Sequence, residues 1–263
     1  MMDAATLSGQ HVLVTGAAQG IGLAIAAAFL EAGASVTIVG RNAERLAGAA
    51  AELRAGHAQA KLFEGVADLT DADQIADAFA AAVAAQGPIT VLVNNAGASG
   101  AVPFAKMDEA HFSAMMDANV RSTFLCSKAV IGDMLAAGTG RIINIASTSG
   151  LKGYAYVASY CAAKHAVVGL TRALAIELAR KGVTVNAICP GFVETPMTVE
   201  SVRNIMEKTG RTEEQARADL AAMNPQKRLV QPDEIATMAV QLALPAAGGI
   251  NGQTIAIDGG ETA

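Results

Sequence analysis

Two kinds of apolar pattern alternate along the chain. Short, mostly β-branched blocks occur as HVLVT (11–15), SVTIV (35–39), LFEGV (62–66), TVLV (90–93), RIINIA (141–146), VTVNAIC (183–189) and TIAI (254–257). Their apolar residues run together instead of alternating with polar ones, which marks strands covered on both faces. The longer segments between them, 21–32, 43–55, 71–86, 109–137, 158–181 and 234–244, read as apolar-faced helices. Regular strand–helix alternation predicts an α/β fold, a single doubly wound, parallel seven-stranded sheet with helices on both faces. No linker rich in Pro, Gly or Ser divides the chain and no repeat is present, so residues 1–263 are expected to form one domain. Residues 197–224 break the alternation. They are richer in charge and carry Met197, Met206 and Met223, and they predict a helical flap between the sixth strand and the last helix.

Composition narrows the class. The 263 residues are 52% hydrophobic and 16% charged, with a net charge of −5. Such a chain is not intrinsically disordered. It has no Lys/Arg run to neutralise a nucleic acid backbone or to hold an anionic membrane. The longest uncharged stretch, 78–105, is broken by Gln86, Gly87-Pro88 and Asn94-Asn95, so no spanning helix is expected. The first ten residues lack the basic and apolar regions of a signal peptide. The three cysteines, Cys126, Cys161 and Cys189, are scattered, and His11, His57, His111 and His165 show no ligand spacing. No metal is expected, and buried thiols in a reducing cytoplasm are the simplest reading.

The first strand runs into TGAAQGIG, residues 15–22, with Gly16, Gly20 and Gly22 flanking Gln19 and Ile21. A glycine-rich turn between a strand and a helix aims backbone N–H groups and a helix N-terminus at one point, an anion site suited to a pyrophosphate in a Rossmann-type fold. The spacing is GxxxGxG and not the usual GxGxxG. Dinucleotide folds commonly place a carboxylate on the adenosine ribose after the second strand. Here that strand ends Val39-Gly40-Arg41-Asn42, with no carboxylate. The Arg41 guanidinium matches a 2′-phosphate, so NADP(H) is favoured, with NAD(H) as the alternative. Gln19 adds no second positive charge.

Ser147 is predicted at the C-terminal end of the fifth strand, where open α/β sheets bind ligands. Tyr160 and Lys164 lie four apart on the following helix, on one face of one turn. A phenol titrates near ~10, too high for proton transfer at neutral pH. A neighbouring ammonium favours the phenolate, and lowering the pKa by about three units requires about 4 kcal/mol. A serine hydroxyl can hydrogen-bond a carbonyl or alcohol oxygen without acting as a nucleophile. No GxSxG nucleophile elbow is present.

Taken in order, TGAAQGIG, Asp68, NNAG (94–97), Asn119, Ser147, Tyr160, Lys164 and Pro190-Gly191 closely resemble the short-chain dehydrogenase/reductase family in its single-domain branch. The resemblance runs from about Ser8 to Gly260. It implies an enzyme that transfers a hydride between a nicotinamide cofactor and a carbonyl/secondary alcohol pair. By the same resemblance Tyr160 is the general acid or base. Lys164 lowers its pKa and holds the nicotinamide ribose, Ser147 anchors the substrate oxygen, and Asn119 supports a proton relay. Asp68 would contact adenine. Asn95, Ala96 and Gly97 would lie beside the adenosine ribose, and Pro190, Gly191, Val193 and Thr195 would hold the nicotinamide carboxamide. Relatives use the region of Asp258-Gly259-Gly260 in tetramer contacts, so a homotetramer is expected.

GFVETPM (191–197), Ser201-Val202-Arg203 and RLVQPDEI (228–235) look like β-ketoacyl thioester reductases, including the polyketide type. The expected reaction is NADP(H)-linked reduction of a 3-oxoacyl thioester or similar ketone. The alternatives are an NAD-linked dehydrogenase of a secondary alcohol or 3-hydroxyacyl-CoA, and a non-catalytic dinucleotide-binding regulator. The intact Ser/Tyr/Lys set argues against the regulator. Met197, Val199, Val202, Ile205 and Met206 would either line an acyl chain or form the buried face of a helix. Tyr154 and Tyr156 would either line the pocket mouth or pack.

Overall fold

The computed structural model describes residues 6–263. Strands β1 (His11–Thr15), β2 (Ser35–Gly40), β3 (Leu62–Val66), β4 (Val91–Asn94), β5 (Gly140–Ile145), β6 (Val183–Pro190) and β7 (Thr254–Ile257) form one seven-stranded sheet in the order β3-β2-β1-β4-β5-β6-β7. Every pairing is parallel. β1, β4 and β6 are buried at every position, as their unbroken apolar runs require. Helices α1 (Gly20–Glu31) and α9 (Pro232–Ala243) cover one face, with Ile25, Phe29, Ile235 and Val240 packed on Val12, Val14 and Ile143. Helices α3 (Ala72–Gln86), α5 (Ser122–Ala137) and α6 (Ala158–Leu178) cover the other, around Leu13, Leu92, Ile142 and Val185.

The remaining helices are α2 (Ala43–Gly56), α4 (Glu109–Met116) and the flap pair α7 (Pro196–Thr209) and α8 (Glu213–Met223). Local chemistry starts several of them. Asn42 caps α2, Asp71 caps α3, Asp108 caps α4, and Thr212 with Gln215 forms a capping box on α8. The helix expected over 109–137 is not uniform. A π turn over Asp117–Arg121 separates α4 from α5. It turns Asn119 inward, where Nδ2 donates to the carbonyls of Ala98 and Met115, both at 2.9 Å.

A buried polar chain ties β4 to β5. Asn94 Nδ2 donates to Asn144 Oδ1 at 2.9 Å and Ser127 Oγ at 3.0 Å, and Asn144 Nδ2 donates to Thr171 Oγ1 at 2.8 Å. These bonds tie together the two strand ends that carry the site, although Asn94 Oδ1 itself is buried without a partner. Because β1 lies between β2 and β4, the chain reverses direction across the sheet at that point. Open α/β sheets bind ligands in the crevice outside the strand C-termini at such a switch.

Candidate active site

Three loops meet at this crevice. Gly16 and Gly20 adopt φ of +66° and +57°, a region that favours glycine. A Cβ on Gly16 would lie 2.8 Å from Ala96 Cα, and one on Gly22 would lie 2.5 Å from both Gly16 O and Asn95 Nδ2. These two glycines are therefore required by the chain's own packing. Asn95 Nδ2 donates to the carbonyls of Thr15 at 3.0 Å and Gly16 at 3.1 Å, and Thr15 Oγ1 accepts from the amides of Asn95 at 3.0 Å and Ala96 at 3.1 Å. The loop after β4 thus holds the glycine loop in shape. Gln19 opens α1 with no side-chain cap, and no acidic residue stands in the first turn. The first N–H groups of α1 are thus left without a side-chain cap, as an anion site would require.

The loop after β6 closes the other side. Pro190 pairs with Ile257 of β7, and a Cβ on Gly191 would lie 3.2 Å from Asp258 Cβ. Val193 bridges Val230, and its carbonyl accepts from Thr195 Oγ1 at 3.3 Å and Thr198 Oγ1 at 2.5 Å. Thr195 Cγ2 sits 3.3 Å from where Gly20 would carry a Cβ, so this loop rests on the glycine loop. At the other end of the crevice, Arg41 is exposed just beyond β2. A Cβ on Gly40 would meet only Leu46 Cδ1 at 3.6 Å, so sterics do not exclude a side chain there. Asp68 Oδ1 accepts from the amide and hydroxyl of Thr70 at 2.9 and 2.8 Å. Those bonds, with the Arg41 charge, hold its carboxyl below the usual range.

Ser147 leaves β5 in extended conformation and caps a 3-10 turn over Thr148–Gly150, its Oγ accepting from the Ser149 amide at 3.1 Å. It also hydrogen-bonds the Tyr160 hydroxyl. Lys164, 5% exposed, donates from Nζ to the Ile145 carbonyl at 2.9 Å and lies 5.6 Å from the Tyr160 ring centroid. Asn119 Oδ1 is buried with no partner. A Cβ on Gly97 would lie 2.5 Å from this oxygen and 3.6 Å from Lys164 Nζ, so the glycine keeps open a small space that both polar atoms border. Ser147, Tyr160, Lys164 and Asn119 are thus brought together. Burial pushes the Tyr160 phenol up to about 12, against the hydrogen bond from Ser147, and pulls Lys164 down to about 8. The lowered phenol expected from the Tyr/Lys spacing is not the net result here. Burial outweighs the Ser147 bond, and the ammonium donates to the Ile145 carbonyl. The free acid form of Tyr160 therefore dominates at neutral pH.

The glycine loop, the free α1 amides and the orphaned Asn119 oxygen beside Lys164 fit a nicotinamide dinucleotide. Gly16, Gly20 and α1 would hold the pyrophosphate, Arg41 and Asp68 the adenosine end, and Lys164 with residues 190–195 the nicotinamide end.

Some flap and loop residues take the packing role. Val202 is buried with Ala216, Leu220 and Leu229, and Ile205 and Met206 pack beside them. Met197 and Val199 stay exposed, and Val199 lines an open groove with Glu194, Thr195, Glu200 and Arg203. Tyr156 is exposed at φ 69°, its carbonyl accepting from the Val102 amide at 2.8 Å. The Tyr154 hydroxyl is tied to Thr148 Oγ1 at 2.8 Å and Glu261 Oε1 at 2.6 Å. Sequence reasoning did not single out Thr148, Lys152 or Glu261. Glu261 meets Lys152 and Tyr154 from 109 and 107 residues away, beyond any local pattern, and Thr148, six residues from Tyr154, joins them through its hydroxyl.

This crevice, with its hydroxyl, phenol and ammonium, defines a nicotinamide-dependent oxidoreductase acting on CH–OH groups. The chain belongs to the short-chain dehydrogenase family, whose model matches residues 10–205. It is 40% identical over 259 residues to a Streptomyces coelicolor protein whose name assigns it provisionally as a ketoacyl reductase, covering 97% of this chain and 98% of that one. It is 35% identical over 252 residues to D-β-hydroxybutyrate dehydrogenase of Rhizobium meliloti, covering 95% and 98%. A variant of actinorhodin polyketide ketoreductase solved with NADPH superposes with a TM-score of 0.93 at 38% identity, covering 97% and 99%. No helix among the described residues is long and apolar enough to cross a membrane.

Proposed function

We propose that the protein is an NADPH-preferring reductase of a 3-oxoacyl thioester or a similar apolar ketone. The strand end Gly40-Arg41 carries the cofactor preference. It presents a guanidinium and no carboxylate, in a place where a side chain would fit. The likeness to ketoacyl reductases supports the substrate class. In this reading the substrate oxygen lies between the hydroxyls of Ser147 and Tyr160, and the bound cofactor supplies the hydride to the carbonyl carbon. Tyr160, protonated at neutral pH, donates its proton to the oxygen as charge develops there. Ser147 hydrogen-bonds the same oxygen. Lys164 stabilises the phenolate left behind, and Asn119 Oδ1 beside it supports the returning proton.

An NAD-linked dehydrogenase is the second reading. The uncharged Gln19 and the likeness to hydroxybutyrate dehydrogenase favour it. We place the protein in the cytoplasm as a homotetramer. Phe124 and Leu135 of α5 and Ile176 of α6, the last 83% exposed, offer apolar surface for a second copy. The test is the initial rate of cofactor oxidation with acetoacetyl-CoA, NADPH against NADH, with Tyr160→Phe as blank. Turnover favouring NADPH and lost in the variant supports the proposal. Turnover favouring NADH supports the second reading, and none with either cofactor rejects the 3-oxoacyl-CoA substrate.

A further inference from the structure

Residues 258–262 form a self-bonded turn. Asp258 Oδ1 accepts from the Gly260 amide at 2.9 Å, and Oδ2 accepts from the Thr262 amide at 2.9 Å and its hydroxyl at 2.6 Å. The turn sends the Glu261 side chain inward, where it is 4% exposed. There Oε1 accepts from the Tyr154 hydroxyl at 2.6 Å and pairs with Lys152 Nζ at 3.1 Å. Lys152 Nζ also donates to the Glu261 carbonyl at 3.3 Å and lies 5.0 Å from the Tyr154 ring centroid. The single Tyr154 proton goes to the carboxylate, so Thr148, 2.8 Å away, donates to Tyr154. Oε2 sits 3.3 Å from where Gly191 would carry a Cβ. The same turn meets the far end of the flap, since a Cβ on Gly259 would overlap Asn224 Oδ1.

One carboxylate therefore joins the residue next to Ser147, the bend over Lys152–Tyr154 and the loop after β6. A buried charge is costly to desolvate unless paired and hydrogen-bonded, and is weak evidence for stability as such. Its geometry suits alignment instead: it sets the hydroxyl anchor against the loop that would carry the nicotinamide. We propose that Glu261 is a positioning residue for hydride transfer, holding the Ser147 turn and the loop after β6 in register through Tyr154 and Lys152. This rests on the reductase reading above.

Glu261→Ala, Glu261→Gln, Tyr154→Phe and the double variant Glu261→Ala/Tyr154→Phe are compared in kcat and KM for ketone reduction, in NADPH Kd from bound-cofactor fluorescence, and in amide exchange over residues 148–152. A misaligned reacting pair costs up to about a hundredfold. Glu261→Ala and Tyr154→Phe are each expected to lower kcat about tenfold, with less than additive loss in the double variant and Kd within about twofold. Glu261→Gln keeps an oxygen for Tyr154 and loses less. Amide exchange over 148–152 accelerates in Glu261→Ala and Tyr154→Phe. Wild-type kcat in both single variants overturns the proposal, as do additive losses or a Kd that weakens as far as kcat falls. Where Glu261→Ala does not fold, Glu261→Gln and Tyr154→Phe carry the comparison. A wild type that reduces no ketone with either cofactor rejects the reductase reading instead. Exchange then still decides, because unchanged protection over 148–152 overturns the positioning role.

Discussion

Gly97→Ala tests whether the space between Asn119 and Lys164 matters to turnover. Gly97 is not in the left-handed region, so alanine strains no backbone, and the perturbation is one methyl group. That methyl would stand 2.5 Å from Asn119 Oδ1. Asn119 cannot yield freely, because both of its amide hydrogens are bound, to Ala98 O and Met115 O. Displacing it gives up two hydrogen bonds of about 1 kcal/mol each and leaves carbonyls that cost about 1–3 kcal/mol when unsatisfied. The expected destabilisation is about 2–4 kcal/mol. If about 2 kcal/mol of this appears in the activation barrier, kcat falls about thirtyfold, at 1.36 kcal/mol per decade. The assay is kcat from cofactor absorbance, paired with urea unfolding of the same preparation. Gly48→Ala on exposed α2 is the control, since nothing lies within 4 Å of a Cβ there. It should stabilise by about 0.5–1 kcal/mol and leave kcat alone. A Gly97→Ala enzyme with wild-type kcat would refute the role given to this space.

Arg41→Ala should weaken NADPH binding about tenfold or more and NADH binding little, measured by fluorescence titration; equal losses for both would remove the 2′-phosphate role. The pH dependence of kcat/KM for the cofactor reports the free enzyme. Burial sets Lys164 near 8 and Tyr160 near 12, so reduction should hold level below pH 8 and fall above it as the ammonium loses its proton. A flat profile to pH 10 would contradict this. His11 is buried, its Nδ1 on the Gly87 carbonyl at 2.7 Å and its Nε2 on the Thr37 hydroxyl at 2.8 Å. Burial lowers its folded pKa below 6.5 despite the Gly87 bond. The unfolded chain then binds the proton first, so the stability of the neutral ring is complete above about pH 6.5 and is lost as pH falls below it. The slope is at most about 1.4 kcal/mol per pH unit. Unfolding curves of wild type and His11→Gln between pH 7.5 and 5 should converge on acidification, and parallel curves would sink the assignment.

The strands were readable because β1, β4 and β6 are buried on both faces, and burial of that kind leaves an unbroken apolar run. The glycine loop and the Tyr160–Lys164 pair were readable for the same kind of reason, being local spacings. The π turn at Asp117–Arg121 was not. It goes with a bond from Asn119 to Ala98, 21 residues away, which leaves no trace in helical periodicity. Asn94 and Asn95 look alike in NNAG, yet Asn94 points into the core toward Asn144 while Asn95 braces the glycine loop. Strand alternation separates such neighbours only once the strand's end is known. In the flap, helical spacing marked Val202 as apolar, but only the folding of α7 onto α8 shows that it meets Leu220 and not the crevice. The acidic partner of Tyr154 was out of reach for a further reason: a carboxylate near a chain end ordinarily reads as solvated.

The two halves of the crevice differ in how they are built. The glycine loop is held by Asn95, Thr15 and Ala96 without any ligand, so little ordering is needed when an anion arrives, and less binding energy is lost to it. In the proposed reading its shape sets where the cofactor phosphates would lie and therefore where a hydride donor would stand relative to Ser147 and Tyr160. That half would set the reaction class. In the same reading the other half would meet the flap, whose inner residues are committed to its own small core and whose Met197 and Val199 are exposed. Methionine adapts to varied apolar shapes at little cost. In the proposed reading, substrate choice would rest on this exposed surface, which packing does not dictate.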